Sequence, residues 1–132
     1  MDTYILKYKT FQTAFYNMKI MIDKKITEKI RSQMRKGVLE YCILTLLQNE
    51  DAYASSIIAN MKDAKMIVVE GTLYPLLIRL KNQGLLSYRW EESTQGPPRK
   101  YYSITTLGRE HLAEMNIAWR ELVDTIEILK TK

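Results

Sequence analysis

Cysteine, histidine and long apolar runs are scarce in this chain of 132 residues. Cys42 is the only cysteine, which excludes a disulfide within the chain and a cysteine-rich zinc site. A single thiol is typical of proteins from a reducing compartment, so we expect a cytoplasmic protein. No run of about 18 uncharged apolar residues occurs, which predicts no membrane span and no membrane partner. The N-terminus also lacks the compact apolar stretch of a secretory signal.

Residue types that carry out catalysis are sparse as well. His111 is the only histidine, and neither a second metal ligand nor a nucleophile–base set accompanies it. No glycine-rich phosphate loop and no metal-ligand spacing is present. Cys42 lies in an apolar helical stripe, where a small core residue is the simplest interpretation. We therefore predict no catalytic residues, no metal, no cofactor and no enzymatic activity.

Positive charge is concentrated at one end of the chain. The formal net charge is +5, but residues 1–36 hold nine Lys or Arg and three Asp or Glu, whereas residues 37–132 hold eleven and twelve. The larger part of the chain is therefore close to neutral. Overall basicity is weak support for nucleic-acid binding, and a local basic site is needed to argue it.

Residues 1–33 differ from the rest by being rich in Tyr, Lys and Thr. Several apolar residues recur there at helical spacing, which favours a helix over about 11–33: Phe11, Phe15, Met18, Ile22, Ile26 and Ile30. Three interpretations stay open. The segment is a basic helical arm that packs on the domain or touches a partner, a poorly ordered tail, or leader sequence ahead of a natural start at Met21.

Three helices are predicted next: one over 37–48, one within 51–62 that starts around Asp51 to Ala54, and one that ends before Gly84. The third, within "EGTLYPLLIRLKNQGLL", has a buried stripe of leucines: Leu73, Leu76, Leu77 and Leu80. With an N-cap at Glu70 or Gly71, Pro75 falls at the edge of the first turn, where a missing N–H costs little. Gly84 is a typical αL stop, and Leu85 after it can pack back onto the helix.

Alternating residues over 85–92 and 99–105 predict two strands of a β-hairpin. The segment 93–98 between them is predicted as a turn, because Gly96-Pro97-Pro98 is poorly suited to a ladder. A long helix over 106–130 follows, capped by Thr105 or Thr106. Its apolar residues are spaced as an a/d heptad seam, which favours self-association over packing on its own core: Leu112, Met115, Trp119, Leu122, Ile126 and Leu129.

The order of these elements predicts a mainly α fold with a small β-hairpin (α+β), namely a winged helix-turn-helix over 34–105. Residues 1–33 are an N-terminal extension, and 106–132 form a C-terminal dimerisation helix. The third helix is placed to enter the DNA major groove, and the hairpin wing to reach the adjacent backbone or minor groove.

Three stretches of the chain resemble the PadR family of bacterial transcription regulators. They are "MRKGVLEYCILTLL", "EGTLYPLLIRLKNQGLL" and "WEESTQGPPRKYYSIT", the last separated by two residues from a following glycine. The resemblance runs unbroken from about residue 34 to 130. It implies a homodimer held by the C-terminal helix, which represses transcription at a palindromic operator. It also implies that a small hydrophobic or aromatic effector, where one exists, releases the repressor.

The resemblance carries DNA contacts onto two places. The recognition helix supplies Thr72, Tyr74, Pro75 and Arg79, and the wing supplies Arg99, Lys100 and Tyr101. Of Tyr101 and Tyr102, one is expected to reach the DNA backbone and the other to pack inward. Two departures stand out: Val69 occupies a position where relatives often have a polar cap, and Ala54 one where glycine is common.

A structural alternative stands beside several of these roles. Tyr74 is a DNA contact or a buried ring, and Arg79 binds phosphate or pairs with a nearby acid. Trp119 is part of the dimer core or the wall of a ligand site between subunits. The alternative for the whole protein is a protein-interaction module that uses the winged fold without specific DNA binding.

Overall fold

The computed structural model describes residues 2–132, and the chain is mainly helical with one small sheet. Its elements, in order, are α1 (Asp2–Leu47), β1 (Ala52–Tyr53), α2 (Ala54–Asp63), α3 (Glu70–Asn82), β2 (Leu86–Ser93), β3 (Gly96–Ile104) and α4 (Thr106–Lys130). This is the predicted order of helices, hairpin and long helix. Of the helices described here, none combines the length and apolar character needed to cross a membrane.

Helix α1 is one continuous helix, whereas two separate helices over 11–33 and 37–48 were predicted. The residues between the predicted helices, Met34-Arg35-Lys36, are all good helix formers, and no proline interrupts the run. The chain divides into two compact units, with the boundary between Gly37 and Val38. No side chain from 3 to 37 is buried. From 38 onwards α1 contributes core residues: Leu39, Ile43, Leu44 and Leu47.

The core of the second unit lies where α2 and α3 pack with the end of α1, the sheet and the start of α4. Ile57 and Met61 of α2 and Leu112 of α4 are among its buried members. Helix α2 ends where Lys65 adopts a positive φ of 69°. The Met66 N–H then donates to the Met61 carbonyl at 2.7 Å, which closes the helix end and turns the chain towards α3.

Helix α3 begins one or two residues earlier than predicted. Val69 is its N-cap and makes no side-chain capping bond, so Glu70 is already inside the first turn. Pro75 therefore lies in the second turn, and the prediction that it sits at the edge of the first was wrong. A helical N–H at this position would bond the Gly71 carbonyl, which is exposed and can bind water instead.

The end of α3 is as predicted. Gly84 adopts a φ of 80°, which is the left-handed conformation that glycine tolerates best. The Leu85 N–H donates to the Leu80 carbonyl at 2.9 Å, and the Gly84 N–H to the Lys81 carbonyl at 3.0 Å. The Leu85 side chain is buried, so the chain after the turn packs back onto the helix.

The sheet has three antiparallel strands in the order β1-β3-β2. Strand β1 was not predicted, since two residues are too short to show a pattern. We call β2 and β3 together the wing. Their turn is Thr94-Gln95, with Ser93 opposite Gly96, so the predicted turn over 93–98 was too long. Pro97 and Pro98 belong to β3, beside an irregularity of the ladder where a proline's missing N–H is tolerated.

Helix α4 is fixed to the end of α3 through its N-cap. Thr105 is the cap, and its hydroxyl accepts from the Gly108 N–H at 2.9 Å while donating to the Gly84 carbonyl at 2.6 Å. Gly108 is buried so tightly that an added Cβ would overlap with the Leu85 carbonyl oxygen. Further along, the Tyr41 hydroxyl hydrogen-bonds the Asn116 side chain, which holds α4 against α1.

Candidate nucleic-acid interface

The outer surface of α3 has two edges on either side of its buried leucines. Leu73, Leu77 and Leu80 are fully buried, which turns the intervening residues outward. Tyr74 and Ile78, one turn apart, are exposed and face the wing. Thr72 is half-buried, and Pro75 and Arg79 are exposed, on the edge away from the wing. The predicted contacts of α3 are thus accessible, but they do not share a single edge.

An open cleft of about 350 Å³ lies between α3 and the wing. Tyr74 and Ile78 line it from α3, while Arg99 and Lys100 line it from β3. Trp90 of β2 contributes to the opposite wall. The cleft therefore brings together Tyr74, Arg99 and Lys100 from the predicted set. It does not include Thr72, Pro75, Arg79 or Tyr101.

Arg79 forms an ion pair with Glu40 of α1. Glu40 is half-buried at the edge of the core, whereas the arginine side chain is 58% exposed. Of the two interpretations of Arg79, the pair with a nearby acid is the one present in the isolated chain. Binding of a phosphate by Arg79 requires that the guanidinium exchange this carboxylate for the phosphate oxygens.

Both predicted wing cations are held against aromatic rings. The Arg99 guanidinium lies 4.1 Å from the ring centroid of Tyr53, the second residue of β1. The Lys100 ammonium lies 4.5 Å from the Tyr88 centroid and 5.6 Å from that of Trp90, its cross-strand partner. Within residues 2–132 neither cation has a carboxylate within 4.0 Å. Cation–π contacts hold both groups in place and leave their charge available to an anion.

The nearest acid on the wing is neutralised by a neighbouring arginine. Arg89 donates to Glu91 at 2.7 Å and to Asp51 at 3.1 Å, and these bonds raise the pKa of the Arg89 guanidinium. The same guanidinium stacks 4.5 Å from the ring centroid of Tyr101. Repulsion between Glu91 and a DNA phosphate is therefore reduced by the cation bound to this carboxylate.

Tyr101 and Tyr102 point to opposite faces of β3. Tyr102 is only 3% exposed and packs 5.9 Å from Tyr88, centroid to centroid. Burial raises the pKa of the Tyr102 hydroxyl, and the nearby phenols of Tyr74 and Tyr88 raise it further. Tyr102 is therefore the member of the pair that packs inward. Tyr101 is half-exposed, so it is the tyrosine whose hydroxyl remains accessible to a DNA backbone.

Several residues of this surface were not predicted from the sequence. Tyr53 lies in the range where the second helix was expected to start, and no strand was predicted there, so its contact with Arg99 was missed. Ile78 and Trp90 were given no role in a cleft. A signal for Trp90 was present, because alternation in a two-strand hairpin with a short turn sets it opposite Lys100.

The heptad seam of α4 is divided between the core and the surface. Leu112 is buried in the core of its own chain, and Met115 packs partly against it. The rest of the seam is exposed in the isolated chain: Trp119, Leu122, Ile126 and Leu129. Trp119 also contacts Tyr41, with ring centroids 6.3 Å apart. Four large apolar side chains on one exposed seam form a patch of the kind that marks interaction surfaces.

Comparisons with known proteins point to one family. The family model described as "Transcriptional regulator PadR-like family" matches residues 43–114, more than half of the chain. A PadR-like transcription factor from Bacteroides fragilis, solved by X-ray crystallography, is 60% identical, covers 76% of this chain and 98% of its own, and has a TM-score of 0.66.

Two further proteins are similar over most of their length. A PadR family transcriptional regulator from Eggerthella lenta, known from its crystal structure, is 33% identical with a TM-score of 0.78, covering 83% of this chain and 96% of its own. An uncharacterized protein from Lysinibacillus sphaericus is 31% identical over 102 residues, 75% of this chain and 94% of that protein. With its winged-helix fold, the chain belongs to the PadR-like family of transcriptional regulators.

Proposed function

We propose that this regulator binds double-stranded DNA sequence-specifically as a homodimer and represses transcription at a palindromic operator. The observation that carries the proposal is the cleft between α3 and the wing. There Tyr74 of the helix faces Arg99 and Lys100, two cations with no acidic partner among the described residues. Cations held beside an exposed helix are the arrangement that phosphate contacts require.

Each part of the interface has its own role in this proposal. The N-terminal half of α3, with Thr72, Tyr74 and Pro75, enters the major groove and reads base edges through short polar and apolar groups. The wing lies along the adjacent backbone, where Arg99 and Lys100 bind phosphates and Tyr101 donates its hydroxyl. Arg79 joins them by exchanging Glu40 for a phosphate.

The homodimer is supported by the exposed part of the α4 seam. Leu122, Ile126 and Leu129 are 53%, 44% and 63% exposed, which is unfavourable in water unless a second copy covers them. A two-fold pair of α4 helices buries these residues and presents two α3 helices to two half-sites. Leu112 and Met115 then support the seam from the core of each chain.

A small hydrophobic or aromatic effector is proposed to bind beside Trp119 in the dimer. The indole is 44% exposed and stacks loosely on Tyr41, so a flat ligand has an aromatic surface to contact. Binding there would change the separation of the two α4 helices and hence of the two α3 helices. Release from the operator would follow from that change in spacing.

The test is binding to DNA from the gene's own promoter region, titrated at several salt concentrations against an unrelated fragment. We expect tighter, salt-sensitive binding to the promoter. Arg99→Ala with Lys100→Ala removes four cations per dimer, so the slope of log affinity against log salt should become shallower by about 3 to 4. The control is Lys130→Ala with Lys132→Ala, which removes the same charge from the end of α4.

Equally feeble binding to both fragments, unchanged by the wing variant, would contradict the proposal. It would favour the alternative that the winged fold serves a protein partner. Pull-down of a partner that depends on the α4 seam but not on the wing would then be the expected result.

A further inference from the structure

A second, smaller cavity of about 170 Å³ continues the cleft towards the C-terminal half of α3. Ile78, Lys100 and Tyr102 line both cavities, so the two form one groove between helix and sheet. Lys81 and Asn82 of α3 line only the smaller one. Neither residue was predicted to take part in binding.

We call this smaller cavity the notch. The side-chain ammonium groups of Lys81 and Lys100 both lie near the Tyr88 ring in it. The Lys81 ammonium lies 5.9 Å from the centroid of Tyr88, and the Lys100 ammonium 4.5 Å from the same centroid. Among residues 2–132, neither lysine has a carboxylate within 4.0 Å. Two like charges beside one half-buried ring repel each other, and an anion placed between them removes that repulsion.

We propose that Lys81 and Lys100 together bind one backbone phosphate of the DNA, above the Tyr88 ring. The inference rests on the proposed function and adds a contact from the last turn of α3 to those of the wing. A recognition helix reads bases with its N-terminal residues, so its C-terminal turn lies nearer the backbone of the groove. The Asn82 amide, which lines the same notch, supplies a further donor.

The position of Lys81 on the helix supports this role. It lies in the last turn of α3, where the helix dipole favours a cation. The Tyr88 ring keeps the side chain over the sheet, because Tyr88 is held by Tyr102 on β3. Lys100 lies on the same face of the sheet and approaches from the other strand. In the notch, one cation from α3 and one from the wing therefore contact the same ligand group. Arg99 lies over Tyr53, outside the notch.

The experiment is a double-mutant cycle on promoter binding with Lys81→Gln and Lys100→Gln, measured at several salt concentrations. Lys81→Gln alone removes two cations per dimer, so the salt slope should become shallower by about 2. Affinity should fall by similar factors for the promoter and an unrelated fragment, since a phosphate contact carries no sequence information. Because both lysines bind one phosphate, Lys81→Gln should lower the DNA affinity by a smaller factor when Lys100→Gln is already present.

A control and a comparison of two variants separate this inference from the proposed function. Lys130→Gln makes the same change at the end of α4 and should leave the slope unaltered. A Lys81→Gln variant with an unchanged slope, when Arg99→Ala with Lys100→Ala still lowers it, would overturn the notch and leave the function standing. Unchanged salt slopes in Lys81→Gln and in Arg99→Ala with Lys100→Ala would overturn both the notch and the proposed function.

Discussion

Two exposed surfaces of this protein use large side chains in opposite ways. In the groove between α3 and the wing, aromatic rings lie under cations, as Tyr53 does under Arg99 and Tyr88 under Lys100. On the second half of α4, the aliphatic side chains of Leu122 and Ile126 are exposed. An aromatic ring that holds a cation prepares a site for an anion, whereas an exposed aliphatic seam is completed only by another apolar surface.

The two surfaces also differ in charge. Glu121, Asp124 and Glu127 alternate with the seam of α4 and would repel a phosphate backbone. The wing also carries acids, but Glu91 is bound by Arg89. The two proposed functions, DNA binding and self-association, are therefore placed on surfaces that cannot easily exchange roles.

The largest expected effect comes from breaking the junction that connects the two surfaces. Gly108→Ala places a methyl group against the Leu85 carbonyl oxygen and the Ile104 side chain, and backbone cannot move aside cheaply. We expect a loss of about 3 kcal/mol in the free energy of unfolding, measured by urea denaturation. Gly37→Ala adds the same methyl to open space in α1 and should be neutral or stabilising by about 0.5–1 kcal/mol. Equal stability of the two variants would contradict this packing.

The second prediction addresses the α4 surface alone. Leu122→Asp with Ile126→Asp puts charge into the seam without disturbing the core, because both side chains are exposed in the isolated chain. Sedimentation should show a monomer where the unaltered protein is a dimer, while the far-UV circular dichroism of the folded chain is kept. A variant that remains dimeric would place the interface elsewhere.

The third prediction concerns the positive charge of the proposed DNA-binding surface. Glu40→Gln keeps the shape of the side chain but releases Arg79 from its ion pair. We expect DNA binding to tighten by about two- to fivefold, in line with the modest strength of partly exposed pairs, and the salt slope to steepen. Arg79→Gln in the same background should cancel the gain. A gain that survives this second substitution would assign it to a cause other than Arg79.

The smallest effect is a pH dependence at the base of the groove. The pKa of Tyr102 is raised above its ordinary value of 10.0, mainly by burial, so the folded protein keeps a proton that the unfolded chain releases. The stabilisation is fully present below the ordinary pKa and is lost as the pH rises through the folded one. Between about pH 9 and about pH 11, the unaltered protein should lose more stability than Tyr102→Phe, measured by denaturant titration. Parallel losses would show that the Tyr102 hydroxyl has the same pKa folded and unfolded.

Periodicity in the sequence was a good guide to the helices of the second unit. The leucine stripe of α3, its stop at Gly84 and the bounds of α4 all appear as predicted, because each depends on local chemistry. The predictions that failed concern features that depend on contacts with other elements of the fold. Whether Leu112 is buried by its own chain or by a partner cannot be read from spacing, since both uses have the same heptad pattern.

The candidate site was predictable only in part for the same reason. The wing motif led to Arg99 and Lys100, yet their aromatic supports lie on other strands. Lys81 was overlooked because its role depends on a ring that tertiary packing brings from β2. The position of Pro75 was misjudged because Val69, without a capping side chain, nevertheless ends the preceding segment and starts the helix.

The most direct test of the central claim is the stoichiometry of the complex with promoter DNA, measured by sedimentation. The account predicts two protein chains per operator for the unaltered protein. The wing variant, Arg99→Ala with Lys100→Ala, should remain a dimer and bind weakly, whereas Leu122→Asp with Ile126→Asp should lose the dimer and, with it, tight binding. One chain per operator, bound as tightly by the Leu122 and Ile126 variant, would contradict the assignment of the two surfaces.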